Sequence, residues 1–196
     1  QVRVLDMAPD CDLPGVDYRR VDVTDLDAVR AACEGVDTIV HNASIVHTKW
    51  NQEDTIWRVN LGGTENVLRA AEDQGVPKMI YVSSGSVVYE GKHIENGTEE
   101  LPYARTSQAP YADSKIAAEK CTLGQNSRKL ATCALRPHVI FGPGDTRFMP
   151  QLLKAASSGR LRVQVGRGEW LSDYTYVSNM GDATVLATEK LAPDSP

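Results

Sequence analysis

Residues 54–84 read DTIWRVNLGGTENVLRAAEDQGVPKMIYVSS, and the reading of this stretch decides the fold. It opens as a long helical pattern that stops at Gly75, where a glycine can take the left-handed turn that ends a helix. It closes on PKMIYVSS (77–84), an apolar run without polar alternation, as expected of a strand buried on both faces. A second such run, VDTIVHNA (36–43), precedes the helix. Strand, helix and strand in that order predict a parallel crossover.

The same alternation extends in both directions. VRVLD (2–6) and DYRRVD (17–22) read as strands, and Thr24 is placed to cap a helix over DLDAVRAACEG that ends at Gly35. Beyond residue 84 a loop-like segment runs to 109. A helix over about 110–124 follows, then one strand ATCALRPHVI (131–140), a helix around 148–158 and a last helix over about 179–191. Apolar strands separated by helices of this length predict an α/β fold with a doubly wound parallel sheet. Residues 1–196 show no linker, repeat or low-complexity tract and are expected to form one domain.

Composition narrows the function. The chain has 196 residues, 41% hydrophobic and 24% charged, and a net charge of −5. Lys and Arg form no run, which argues against a nucleic-acid partner. Cys11, Cys33, Cys121 and Cys133 lack metal-ligand spacing and read as reduced, mostly buried thiols of a cytoplasmic chain. His41, His47, His93 and His138 lack zinc-like spacing, so no metal is expected. No apolar run is long enough to span a membrane, and any membrane contact is expected through parts outside this chain.

In parallel sheets ligands bind where strands end, which directs attention to those residues. Asp6 ends the first strand, and an acidic residue there suits a ribose diol and repels a 2′-phosphate, favouring NAD over NADP; a solvated turn aspartate is the alternative. Asp22 and Val23 could flank an adenine, or belong to the helix start at Thr24. Asn42, Ala43 and Ser44 are small enough to let backbone approach a cofactor. Ser83 and Ser84 end the buried strand 77–84. Tyr111 and Lys115, in APYADSK (109–115), fall on one helix face one turn apart. An adjacent ammonium lowers the pKa of a phenol, and with a serine hydroxyl the set can move a proton on and off an alcohol or ketone.

DVTD, HNAS, VNLGGTENVLRAA, YVSSGSVVYEG, PYADSK and LRPHVIFGPGD, in this order, resemble an extended short-chain dehydrogenase/reductase. Within that group ENGTEELPY before YADSK, and ALRPHVIFGPGD before DYTYVSN, are similar to the 3β-hydroxysteroid dehydrogenase family, above all its sterol-4α-carboxylate members. The resemblance implies a Rossmann-like NAD-binding domain. It makes Tyr111 the general base, Lys115 the residue that lowers its pKa and binds the nicotinamide ribose, and Ser84 the holder of the substrate oxygen, with Ser83 able to exchange roles. Asp6, Asp22, Val23 and residues 42–44 would hold the adenosine side, and Pro137 and His138 would border the nicotinamide. Asn60 would brace the active-site helix. The implied reaction is oxidation of a 3β-hydroxyl on a steroid or sterol, with decarboxylation if a 4α-carboxylate is present. A homodimer through helices at the sheet edge is also implied.

The resemblance makes the first strand of this chain the second strand of the family. The expectation is therefore a fold that lacks its first strand and glycine-rich turn, with GxxGxxG upstream and a substrate lobe downstream, and little turnover from these residues alone. Three rival readings share the fold: a nucleotide-sugar epimerase or dehydratase, a long-chain 3-oxo acid reductase, and a non-catalytic NAD-binding scaffold. Ser172-Asp173 stands where the first of these commonly carries Arg-Asp.

Overall fold

The computed structural model describes residues 1–46, 53–105, 109–164 and 166–193. The chain opens with β1 (Arg3–Asp6) and β2 (Asp17–Arg20), which pair in parallel. Helix α1 (Leu26–Ala32) follows. Its cap is Asp25 and not the expected Thr24: the Asp25 carboxylate accepts the N–H groups of Asp27 and Ala28, while the Thr24 hydroxyl donates to Asp22 at 2.8 Å. A carboxylate at that point both satisfies free N–H groups and complements the helix dipole. Arg3 closes the other end of α1, donating to the carbonyls of Ala32 and Glu34 while pairing with Asp17 at 2.7 Å.

Strand β3 (Ile39–His41) is shorter than the run 36–43. The long helix after it is built in three parts: α2 (Glu53–Trp57), a π-helical segment (Arg58–Gly62) and α3 (Gly63–Gln74). Periodicity near 3.6 does not distinguish a single wide turn, so the π segment was illegible in the sequence. Gly75 ends α3 at φ 65°, as its position predicts. Strand β4 (Lys78–Val82) and the 3₁₀ turn Gly85–Val88 come next, so the segment after residue 84 is not all irregular. Helix α4 (Pro110–Gly124) and β5 (Ala131–Leu135) follow.

The expected single strand 131–140 is two. Pro137, without an N–H to donate, separates β5 from β6 (Val139–Phe141). Helix α5 (Phe148–Ser157), β7 (Tyr174–Tyr176) and α6 (Val177–Lys190) complete the chain. β7 pairs in parallel with β6, and that pairing was absent from the sequence reading.

All pairings are parallel, in three groups: β1 with β2, β3–β4–β5, and β6 with β7. Both faces of β4 are covered. Met79 enters a core with Val29 and Ala32 of α1 and Val67, Leu68, Ala70 and Ala71 of α3, while Ile80 points the other way, to Ala131 and Leu191. Burying each such aliphatic side chain contributes about 1.5–3 kcal/mol. The architecture is therefore α/β, a doubly wound parallel sheet of the Rossmann type. Of the four thiols, all free, only Cys33 is buried and the others are half-buried, fewer than expected. No helix among the described residues is long and apolar enough to cross a membrane.

Candidate active site

Parallel register brings the strand ends to one edge. His41 lies beside Tyr81, and Tyr81 beside Ala134, so β3, β4 and β5 finish nearly level. Past that edge the ends of β4 and β5 stay joined: the Ser83 N–H donates to the Leu135 carbonyl at 2.7 Å and the Gly85 N–H to the Pro137 carbonyl at 2.9 Å. Ser83, Ser84, Pro137 and His138 are thereby held together. Gly85 allows it, because a Cβ there would stand 2.9 Å from the His138 ring.

Helix α4 brings Tyr111 to this group. Pro110 at its first turn has no N–H to leave unsatisfied, and Ala109 before it is extended. Burial pushes the Tyr111 phenol above its ordinary value, and hydrogen bonding by the Ser84 hydroxyl pulls it back. Ser84 Oγ also accepts from the N–H and hydroxyl of Ser86. Ser83 differs: its buried hydroxyl has no partner among the described residues.

Lys115 lies one turn below Tyr111, 1% exposed. Its ammonium donates to the Val82 carbonyl at 2.6 Å and stands 4.2 Å from the centre of the Tyr81 ring. Burial, opposed by the Glu119 charge, lowers its pKa to about 8. Burial and Ser84 thus act on the Tyr111 phenol, while the Lys115 ammonium is directed to the Val82 carbonyl.

Asn60, in the π segment, grips the loop after β3 from both sides. Its Oδ1 accepts the Ile45 N–H at 2.7 Å, and its Nδ2 donates to the Ile45 carbonyl and to Ser114 Oγ of α4 at 2.9 Å. Ser114 in turn donates to the Tyr111 carbonyl. Asn60 thus braces the helix of Tyr111 and fixes the segment next to Asn42, Ala43 and Ser44. A wide turn at such a point is a common feature of functional sites.

Asp6 ends β1 and Asp22 follows β2 by two residues, so both belong to the strand pair and not to the three-stranded group. Asp6 is exposed, and its Oδ1 accepts the Ala8 N–H, the work of a turn aspartate. Asp22 accepts the N–H and hydroxyl of Thr24, which hold its carboxyl below the usual range. Val23 packs against Gly63, where a Cβ would come within 2.7 Å of its Cγ2, and its carbonyl accepts from Asn66.

Two networks escaped the sequence reading. His41, buried, shares a 2.9 Å hydrogen bond with Thr64, whose hydroxyl donates to the Asn60 carbonyl. Burial and the Lys115 charge lower its pKa to about 3, so it is a neutral core histidine. Glu119, fully buried, accepts from Arg136 and Tyr103. Its place two turns after Tyr111 on the same helix face was the available signal. Among the described residues no group of His, Cys, Asp and Glu could hold a metal ion; His47 lies outside them.

The arrangement of phenol, hydroxyl and ammonium at the mouth of a parallel sheet is accompanied by similarity along the whole chain. Over 196 residues it is 39% identical to human sterol-4-alpha-carboxylate 3-dehydrogenase, decarboxylating, covering 99% of this chain and 52% of that protein. Over 187 residues it is 41% identical to the 2-alkyl-3-oxoalkanoate reductase of Stenotrophomonas maltophilia, covering 94% of this chain and 56% of the relative. The chain thus spans about half the length of the curated relatives it matches. The solved UDP-glucose 4-epimerase of Thermus thermophilus in complex with NAD aligns with a TM-score of 0.74 at 28% identity, over 95% of this chain and 66% of that one. The model of the 3-beta hydroxysteroid dehydrogenase/isomerase family matches residues 1–196. The chain belongs to the 3-beta hydroxysteroid dehydrogenase/isomerase family.

Proposed function

We propose that this protein oxidises a 3β-hydroxyl on a steroid or sterol with NAD as the acceptor. The observation that carries the reading is the buried Lys115 ammonium on the Val82 carbonyl, one turn from Tyr111 on α4, which sets that helix against the strand end bearing Ser83 and Ser84. Similarity to the human sterol dehydrogenase supports the substrate class.

The residues fit the two ends of NAD. Ser83 offers a buried hydroxyl without a partner among the described residues, and the His138 ring lies close against Gly85 beside it. Pro137, His138 and Lys115 would hold the nicotinamide ribose end; Asp6, Asp22, Val23 and residues 42–44 would hold adenosine. The starts of α1 and α5 are taken by their own aspartates, Asp25 and Asp145, so neither serves the diphosphate.

Bound NAD supplies a hydride acceptor. Ser84 donates to the substrate oxygen and fixes the C3–O bond before Tyr111. The Tyr111 oxygen takes the hydroxyl proton as the C3 hydrogen departs with its electron pair, leaving a ketone. The Lys115 ammonium, with little water around it, favours the phenolate this requires. Where the substrate carries a 4α-carboxylate, the ketone makes it a β-keto acid. Carbon dioxide then leaves and the carbonyl takes up the electron pair, with no further side chain required.

Reduction of a 3-oxo acid and epimerisation of a nucleotide sugar would use the same proton-transfer residues; relatives named for both chemistries match this chain. The test is the full-length protein with NAD and, in turn, a 3β-hydroxysteroid, a 4α-carboxysterol, a β-hydroxy fatty acid and a UDP-sugar, followed by NADH absorbance and product analysis. NADH formation with the steroid or sterol is expected. Turnover of the fatty acid or the sugar alone overturns the substrate class, and binding of NAD without any turnover supports the scaffold.

A further inference from the structure

Tyr111, Lys115 and Glu119 occupy successive turns of one face of α4. Lys115 and Glu119 are 1% and 0% exposed, so a cation and an anion are buried side by side in the helix that carries the proposed base. The contacts of Glu119 are unequal. Oε1 accepts from Arg136 Nη2 at 2.6 Å, from Arg136 Nε at 2.9 Å and from the Tyr103 hydroxyl at 3.0 Å. Oε2, equally buried, has no partner among the described residues. Lys115 has one described acceptor, the uncharged Val82 carbonyl.

We propose that Glu119 is a positioning residue that keeps Lys115 protonated, and that Arg136 and Tyr103 hold it in place for that purpose. This rests on the assignment of Lys115 as the ammonium that favours the Tyr111 phenolate.

The charges around Lys115 support this role for Glu119. From β3 the ammonium is faced by His41, which burial and Lys115 itself keep neutral, and from β4 by the Tyr81 ring. From its own helix Tyr111 and Glu119 approach. Arg136, at the end of β5, lies behind the Glu119 carboxylate, with the Tyr103 hydroxyl beside it. Of these groups Glu119 alone opposes the effect of burial on the ammonium. An ammonium out of water loses its proton readily unless a negative charge is near. Arg136 also donates to the Glu99 carbonyl, so the pair ties α4 to the end of β5 and to the loop before Tyr103.

The test uses the full-length protein with NAD and its alcohol substrate. In E119Q the amide keeps an acceptor for Arg136 but removes the charge. The alkaline limb of kcat/KM, set by Lys115 losing its proton, should move to lower pH by about one unit or more. The ¹⁵N titration of the Lys115 amine should move with it. E119D, which restores the charge, should recover the wild-type limb even if it melts lower. A lower melting temperature in E119Q with neither titration moved overturns the proposal and leaves Glu119 a structural brace. Should E119Q not fold, E119M, which fills the same volume without charge, takes its place in both titrations with the same two outcomes. K115M retaining full activity overturns the assignment beneath it instead.

Discussion

The Lys115 ammonium donates to the Val82 carbonyl at 2.6 Å and stands 4.2 Å from the centre of the Tyr81 ring. One side chain therefore ties the helix of Tyr111 to the strand that delivers Ser83 and Ser84. The proposed base and the proposed substrate-holding hydroxyl are thus linked through a buried contact between α4 and β4.

Tyr111→Phe removes the phenolic oxygen and little volume. Turnover of the full-length protein should fall by about 10²–10⁴-fold, the usual contribution of a positioned general base. NAD affinity, measured by calorimetry, should change little. Unchanged turnover would mean that another group takes the proton.

Lys115→Met tests the cost of burying the charge. The folded-state pKa is about 8, against 10.5 for the exposed amine. Between those values the unfolded chain binds more protons, so stability rises with pH through that window, by roughly 3 kcal/mol in all. Tyr81 opposes the rise above its ordinary 10.0, because burial raises it and ionisation then favours unfolding. Urea titrations between pH 8 and 10 should show the rise in wild type and its absence in Lys115→Met. The variant should be the more stable at pH 7 and lack activity.

His41 predicts acid sensitivity. Its folded pKa is about 3, against 6.5 when exposed, so the unfolded chain binds the extra proton between these values and stability falls as pH drops through that window. His41→Gln, which cannot be charged, should show a flatter denaturant midpoint between pH 6.5 and 4 than wild type. Equal slopes would mean that carboxylates alone govern acid unfolding.

Asn60→Ala leaves the Ile45 N–H and carbonyl without their side-chain partner and releases Ser114. A loss of about 2–3 kcal/mol is expected by denaturant titration. NAD affinity should weaken as well, since the freed segment adjoins Asn42, Ala43 and Ser44. Destabilisation with unaltered NAD affinity would remove those three residues from the cofactor site.

Gly63→Ala would drive a Cβ to 2.7 Å from Val23 Cγ2. The buried contact between α3 and the segment after β2 must open, at about 1–3 kcal/mol. A melting temperature unchanged from wild type would show that Val23 turns aside freely.

Local sequence was enough to place most of the elements and the strand ends that carry the candidate site. Gly75 stops α3, Pro110 starts α4, the apolar run 77–84 makes β4, and the four-residue spacing sets Tyr111 and Lys115 on one face. Each of these is a local property, fixed by backbone geometry or by a short period that neighbouring residues express together. The partners of the buried polar groups came from the packed fold instead. Lys115 meets a carbonyl 33 positions away, Asn60 reaches Ser114 across 54, and Arg136 finds Glu119 across 17. Packing also set the pairing of β6 with β7, more than 30 residues on. Such contacts follow from how the sheet stacks its helices, and no local pattern records which buried donor will face which buried acceptor. The Tyr111–Lys115 pair was therefore legible as a motif, while the carboxylate proposed to keep its lysine charged became visible only once α4 lay against β4 and β5.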